Sequence, residues 1–271
     1  MARVLHIANW YPSGKEPKRA LWIKDQVELL AEVTDYEVWH VEVIQGQLWL
    51  STRQLSQQEN HLILSFPTKK WFLIEILSGC LLVYLFLFKV RLKNFSHIHF
   101  HIAYPLLTYW HILRRIFKKP VVLSEHWSAY HYNFNISDKR KLKPIQKIFF
   151  NPLHVITVSD ALAKDIVRFS NNPNLLYSVV PNVVDREIFY FKNLEINSDT
   201  FFMVSQWKDP KDPFVVLKVL ATLPKYKLRI GGYGNQMGEM EALISELGLS
   251  DRVTLLGTMD KHKIAEEMNG A

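Results

Sequence analysis

The chain has 271 residues, 48% of them hydrophobic and 13% aromatic, which excludes a disordered protein. That length can bury the cores of about two domains. A single cysteine, Cys80, excludes an intramolecular disulfide framework, and with 33 Lys and Arg against 26 Asp and Glu the formal charge of +7 points to an anionic partner.

No cleavable signal precedes the first strand-like run, residues 3–8, so a reducing cytoplasm is the expected location. A helix-patterned stretch follows at 21–31, then strand-like runs at 37–44 and 61–66. Residues 71–88 form an apolar segment near the length that spans a bilayer, interrupted by Glu75 and Gly79. A charge inside a span costs about 2.5–3.5 kcal/mol on insertion scales, but Glu75 lies near an end and could reach the interface. Three readings stand: a core helix with one face on or in a membrane surface, a wholly buried core helix, and a true span. The flanking Lys69, Lys70, Lys89, Arg91 and Lys93 favour the first, since each lysine near anionic lipid is worth about 1 kcal/mol.

Further strand-like runs at 97–103, 121–125, 155–158 and 178–180 alternate with helix-patterned stretches at 72–92, 106–117 and 160–169. Pro105 suits the first turn of a helix over 106–117, and Ser159 suits the N-cap of the next. Such alternation predicts a mostly parallel sheet with helices on both faces. His97, His99 and His101 share one face of a strand, and with no cysteine or carboxylate cluster beside them no metal site is expected. Two more basic runs, Arg114, Arg115, Lys118 and Lys119, then Lys139, Arg140, Lys141, Lys143 and Lys147, are either an anion-facing surface or solvated helix ends.

The pattern weakens over 182–199 and restarts with a strand at 201–204, which predicts domains at 1–189 and 200–271 joined by a linker at 190–199. Residues 228–257 then form a βαβ unit: a strand, the turn Gly231-Gly232-Tyr233-Gly234, a helix and a second strand. Met237, Met240, Ile244 and Leu247 recur at helical spacing, and Gly248 stands where a left-handed C-cap ends the helix. The glycines are either a tight structural turn or a place where backbone approaches a phosphate at a helix N-terminus. A nicotinamide-dependent oxidoreductase is disfavoured: Gly232-x-Gly234 departs from the dinucleotide fingerprint, and Asn9-Trp10-Tyr11-Pro12 supplies no glycine turn after the first strand.

Four pieces of the chain resemble the retaining nucleotide-sugar glycosyltransferases of family 4, also called group 1. The first is Thr157-Val158-Ser159 with Leu162, followed by Pro181-Asn182-Val183-Val184-Asp185 and Phe189, where Val183 replaces a usual glycine. The second is 204–213, similar to the strand and loop that open the family's donor domain. The third is the Gly232 turn with Leu247-Gly248-Leu249, Asp251-Arg252-Val253 and Leu256-Gly257. The fourth is the strand 121–125 ending in His126.

The resemblance implies an α/β, GT-B-like protein: a Rossmann-like acceptor-side N-terminal domain and an incomplete second Rossmann-like domain for the donor. It implies transfer of a sugar from a nucleoside-diphosphate sugar to a lipid-linked or polysaccharide acceptor with retention of configuration. No cofactor, metal or nucleic acid is implied, because lysines and helix dipoles neutralise the leaving diphosphate. The basic, apolar surface adds an anionic membrane as partner, at its cytoplasmic face. Ser205, Lys208, Lys211, Gly232 and Gly234 take the donor-binding positions, Lys208 standing where other members carry Arg and Gln206 at another usual Arg position. His126 takes the catalytic position at the end of a buried strand, facing the transferred sugar or acceptor. Ser13 and Gly14 lie in the acceptor-side loop, where the family's paired glycines are absent. The family's E-x7-E carboxylate motif and closing helix would fall beyond the equivalent of Ala271. A truncated chain with little or no transfer of its own, a remnant that binds nucleotide or membrane only, is therefore the alternative expectation.

Overall fold

Short apolar runs form the strands, and their alternation decides which layer each side chain joins. The structure is a computed structural model and describes every residue except 1, 15, 18, 193–198, 208–210 and 235. It divides into two compact units, Met1–Val183 and Val184–Ala271.

In the first unit β1 (Arg3–Ala8), β2 (Asp35–Gln45), β3 (Trp49–Gln54), β4 (Glu59–Phe66), β5 (His97–His101), β6 (Val121–Glu125), β7 (His154–Thr157) and β8 (Tyr177–Val179) make one sheet, ordered β3-β4-β2-β1-β5-β6-β7-β8. All neighbours are parallel except β3, which runs antiparallel to β4 at the edge. The helices are α1 (Leu21–Ala31), α2 (Trp71–Tyr84), α3 (Trp110–Leu113), α4 (Lys139–Ile148) and α5 (Asp160–Ser170). Leu5, Ile7, Ile98, Phe100 and Leu123 face Leu82 of α2, Trp110 of α3, Ile145 of α4 and Ile166 of α5 in the main core. The opposite face meets α1, where Ala8 and Val38 pack on Ile23 and Val27. Each such fully buried aliphatic side chain contributes about 1.5–3 kcal/mol. Ser159 caps α5 as expected, its Oγ accepting from the Leu162 N–H at 3.2 Å.

Two expectations change here. The helix expected over 106–117 shrinks to four residues, and Pro105 stands in a series of turns ahead of it. Side chains pin that corner: Glu125 Oε1 accepts the Ala103 N–H at 2.7 Å, and Asn9 Nδ2 donates to the Tyr104 carbonyl at 3.2 Å. The apolar segment is helical throughout, α2 passing into a π-turn over Leu85–Lys89. Trp71–Lys89 is long and apolar enough to cross a membrane by length and composition, yet it is not wholly buried: Leu82 and Leu85 enter the core while Ile76, Leu87 and Phe88 are exposed. Glu75 does not reach outward; it is 1% exposed on the core side of the helix, and its carboxyl bonds Tyr104.

In the second unit β9 (Thr200–Gln206), β10 (Lys227–Tyr233) and β11 (Val253–Gly257) form a parallel sheet ordered β11-β10-β9. With α6 (Phe214–Ala221), α7 (Met237–Glu246) and α8 (Lys261–Gly270), it encloses Trp207, Leu217, Leu228, Ile230, Met240 and Ile244. Gly248 adopts φ +65° and ends α7, with the Leu249 N–H returning to the Ile244 carbonyl at 2.9 Å. Arg252 Nη1 donates to three carbonyls, Leu220 at 3.2 Å, Leu223 at 2.8 Å and Tyr226 at 3.2 Å, which ties the end of α6 to the start of β10.

Candidate active site

Gly232 pairs with Ser205 at the carboxyl ends of β10 and β9, and α7 begins just after. At φ +144°, Gly232 occupies a backbone region that side chains rarely adopt, and a Cβ there would run into the Ser205 carbonyl and stand 2.5 Å from Trp207 Nε1. Gly234 lies equally close to the Trp207 backbone. The two glycines thus let the turn close over a fully buried Trp207. Among the described residues, Ser205 Oγ, Trp207 Nε1 and Gln236 Oε1 are buried polar atoms of this region without a protein partner. Gln206 donates to the Tyr233 hydroxyl at 2.7 Å. Lys211 is exposed in the loop between β9 and α6, and Lys208 lies outside the described residues.

In the first unit, β6 ends in a buried hydrogen-bond knot that presents His126. Glu125 is wholly buried, accepts from the Tyr130 hydroxyl at 2.6 Å as well as from Ala103, and burial pushes its pKa up to about 7. Next to it, His126 lies 6.3 Å from the Trp22 ring of α1, and burial lowers its pKa to about 4, with Asn182 acting weakly the other way. Among the described residues neither ring nitrogen of His126 reaches a partner at hydrogen-bond geometry. At neutral pH it is therefore an uncharged imidazole, one ring nitrogen a donor and the other an acceptor.

Loops after several strands of the same sheet enclose a cavity of about 300 Å3. Trp10, Trp71, Tyr104 and Trp127 give it aromatic walls, while Arg19, Lys69 and Glu42 supply charge. Glu42 is held by Arg19 Nη1 at 3.0 Å and His61 Nε2 at 3.0 Å. Ser13 and Gly14 are elsewhere: Ser13 closes a turn with Glu16, and Gly14 is exposed with open space around it.

Among the described residues two trios offer ligand atoms within 4.8 Å of one another, His6 with His99 and His101, and His40 with Glu42 and His61. His6 from β1 thus takes the place that His97 has in the trio suggested by alternation along β5. Both trios are arranged as hydrogen-bonded stacks: His6 Nδ1 is 3.0 Å from His101 Nε2, and the His40 and His61 rings stack 4.1 Å apart at 10°. Imidazole lone pairs lie in the ring plane, so two parallel rings do not aim at one point, and a shared ion would require the rings to rotate.

The profile of Glycosyltransferase Family 4 matches residues 27–188, more than half of the chain. The chain belongs to glycosyltransferase family 4. The profile of Glycosyl transferases group 1 matches residues 185–271. Curated protein sequences give no significant match. Among solved structures, sucrose-phosphate synthase from Thermosynechococcus elongatus is 16% identical with a TM-score of 0.70, over 100% of this chain and 74% of that one. The trehalose-phosphate synthase (UDP-forming) of Burkholderia vietnamiensis is 11% identical with a TM-score of 0.66, over 100% and 76%. Anabaena HepE, solved with UDP and glucose, is 15% identical with a TM-score of 0.62, over 96% and 70%. The fold is that of the GT-B enzymes, α/β and Rossmann-like, and the protein is a glycosyltransferase.

Several side chains grouped in this glycosyltransferase were not foreseen. In the sequence Asn182 belongs only to the crossover motif, and that membership is the one signal for its place beside His126. Arg19, Glu42, Lys69 and Trp71 converge from three separate stretches, with no spacing in the chain to relate them.

Proposed function

We propose that this glycosyltransferase moves a sugar from a nucleoside-diphosphate sugar to a lipid-linked or polysaccharide acceptor, with retention of configuration, while resting on the anionic cytoplasmic face of a membrane. The observation that carries the donor half is the set of unpartnered buried polar atoms at the Gly232 turn, Ser205 Oγ, Trp207 Nε1 and Gln236 Oε1. Buried polar groups nearly always find hydrogen bonds: a diphosphate at the start of α7 would accept from the Ser205 hydroxyl and the Trp207 indole N–H and meet the positive end of the helix dipole, while the Gln236 carbonyl oxygen would accept from a hydroxyl of the ligand. Lys208 and Lys211 are the charges assigned to the diphosphate, each charge-assisted bond being worth about 1.5–3 kcal/mol. HepE, with UDP and glucose bound, supports the same donor chemistry.

In this reading the first domain, 1–189, is the acceptor side, and a linker leads to the donor domain at 200–271. His126 hydrogen-bonds the transferred sugar or the attacking hydroxyl as a neutral group, and Glu125 fixes its position. Ser13 and Gly14 remain the assigned acceptor-side loop, with the aromatic cavity beside Arg19 as the acceptor pocket proper. The exposed apolar side chains of α2 and the basic residues around them support membrane contact.

Incubating the protein with radiolabelled nucleoside-diphosphate sugars and a membrane-lipid extract tests this function. Label passing into the lipid fraction, with the donor's anomeric configuration kept in the product by NMR, is the expected result. An inverted product would exclude retention, and label appearing only as free sugar would exclude transfer to such acceptors.

A further inference from the structure

The chain segments that enter β5, β6 and β7 lie side by side at the amino end of the sheet, because these strands are parallel neighbours and the Ile98 N–H reaches the Pro120 carbonyl at 3.0 Å. Residues 85–97, 109–120 and 146–154 lead into those entries without a single Asp or Glu, while Lys or Arg occurs in all three. Within this end of the unit Trp110, Arg114, Lys118, Lys119, Pro120 and Pro152 enclose a cavity of about 320 Å3.

Its only charges are positive. Among the described residues Arg114 and Lys118 make no ion pair, and Lys119 Nζ donates to the Phe95 carbonyl at 2.6 Å, which fixes the ammonium without neutralising it. Trp110, 1% exposed, anchors one wall in the core, and the ring-fixed φ of Pro120 and Pro152 sets the course of the chain at two of the entries. Solvation of a helix end does not account for the cluster. Helix α3 has four residues, too few to build much of a dipole, and Lys118 and Lys119 come after it. Three like charges around one cavity repel one another, and an anion seated among them turns that repulsion into attraction.

Apolar side chains flank the cations. Ile116, two residues before Lys118, is 68% exposed, and Phe150, two residues before Pro152, is 60% exposed. A soluble anion has no use for them, whereas a bilayer offers phosphate at its surface and hydrocarbon just beneath. We propose that this cavity seats the phosphate of an anionic lipid headgroup, with Ile116 and Phe150 entering the acyl boundary beside it. The inference rests on the membrane contact proposed above and gives that contact a face, the amino end of the sheet. Pro120 precedes β6 and His126 follows it, so six residues at about 3.3 Å each, roughly 20 Å, separate the two ends. The seat therefore anchors the protein and is distinct from the acceptor pocket.

Sedimentation with phosphatidylglycerol vesicles tests the seat. Arg114→Gln with Lys118→Gln should weaken vesicle binding about 25-fold, each cation at an anionic surface contributing about fivefold. Lys139→Gln with Lys143→Gln removes the same charge from exposed positions of α4 outside the cavity lining, and should weaken binding less than about threefold. Equal losses in the two double variants would overturn the seat in favour of diffuse attraction. Millimolar inorganic phosphate at constant ionic strength should release little of the bound protein, and full release would assign the cavity to a soluble anion instead. Cys80 is the sole cysteine, so in a Cys80→Ser background a nitrobenzoxadiazole label can be placed at Phe150→Cys or at the exposed Tyr132→Cys, which lies beyond the carboxyl end of β6. Vesicles should shift the emission of the first label to the blue and leave the second unchanged; the reverse pattern would overturn the orientation. A parent protein that fails to pellet removes membrane contact and seat together, whereas a parent that pellets with no selective loss in the Arg114 and Lys118 variant removes the seat alone.

Discussion

The Trp207 indole lies against Gly232 so closely that a Cβ on the glycine would stand 2.5 Å from Trp207 Nε1. The turn that resembles a phosphate-binding loop is therefore also a packing device, and the two roles share one residue. Gly232→Ala adds steric conflict to a positive φ and is expected to destabilise the second unit by about 1–3 kcal/mol in urea unfolding. A stability within experimental error of the parent would show that the turn relaxes freely.

Arg252 belongs to a motif that resembles the family's, yet its side chain points into the fold, toward the Leu220, Leu223 and Tyr226 carbonyls. Its guanidinium satisfies acceptors that the end of α6 leaves open. Arg252→Met should cost about 1.5–3 kcal/mol. Lysine offers a compact ammonium in place of a planar fork, so Arg252→Lys should recover less than half of the loss in the same unfolding experiment.

Glu75 predicts a pH dependence. Burial raises its pKa from the usual 4.5 to about 7, so between those values the folded chain holds a proton that the unfolded chain has released. Its stability contribution is complete below pH 4.5 and is lost as pH rises through 7. Glu75→Gln removes that dependence and should gain about 1–3 kcal/mol on the parent when measured at pH 8 relative to pH 5. An equal effect at both values would place the carboxylate in water.

Much of the first unit was legible because buried parallel strands carry short apolar runs with few polar interruptions, as in β1 and β6. Strand β3 was not, since Trp49–Gln54 is an exposed edge whose residues alternate toward no core. The aim of Glu75 was hidden for a different reason: a helix apolar all round shows no preferred face, so nothing in the segment says which way its one carboxylate turns. At the candidate site, His126 could be located because it follows a buried strand. Glu42, Arg19 and Lys69 could not, because only the pairing of β2 with β4 and the loops beyond them bring the three together.

Membrane contact is accessible to sedimentation. The protein should pellet with anionic vesicles and leave them largely at 1 M salt, where the screening length falls to about 3 Å and the lysines no longer attract lipid headgroups. Resistance to alkaline carbonate would identify an inserted helix instead.

The claim that the second unit binds a nucleoside-diphosphate donor is tested most directly by calorimetry with a nucleoside diphosphate on the folded protein, with and without Lys208→Ala and Lys211→Ala together. Binding by the parent and a loss of at least ~10-fold in the double variant is the expected result, that being the value of a single charge-assisted hydrogen bond. No binding by the parent, or unchanged affinity in the variant, would contradict it.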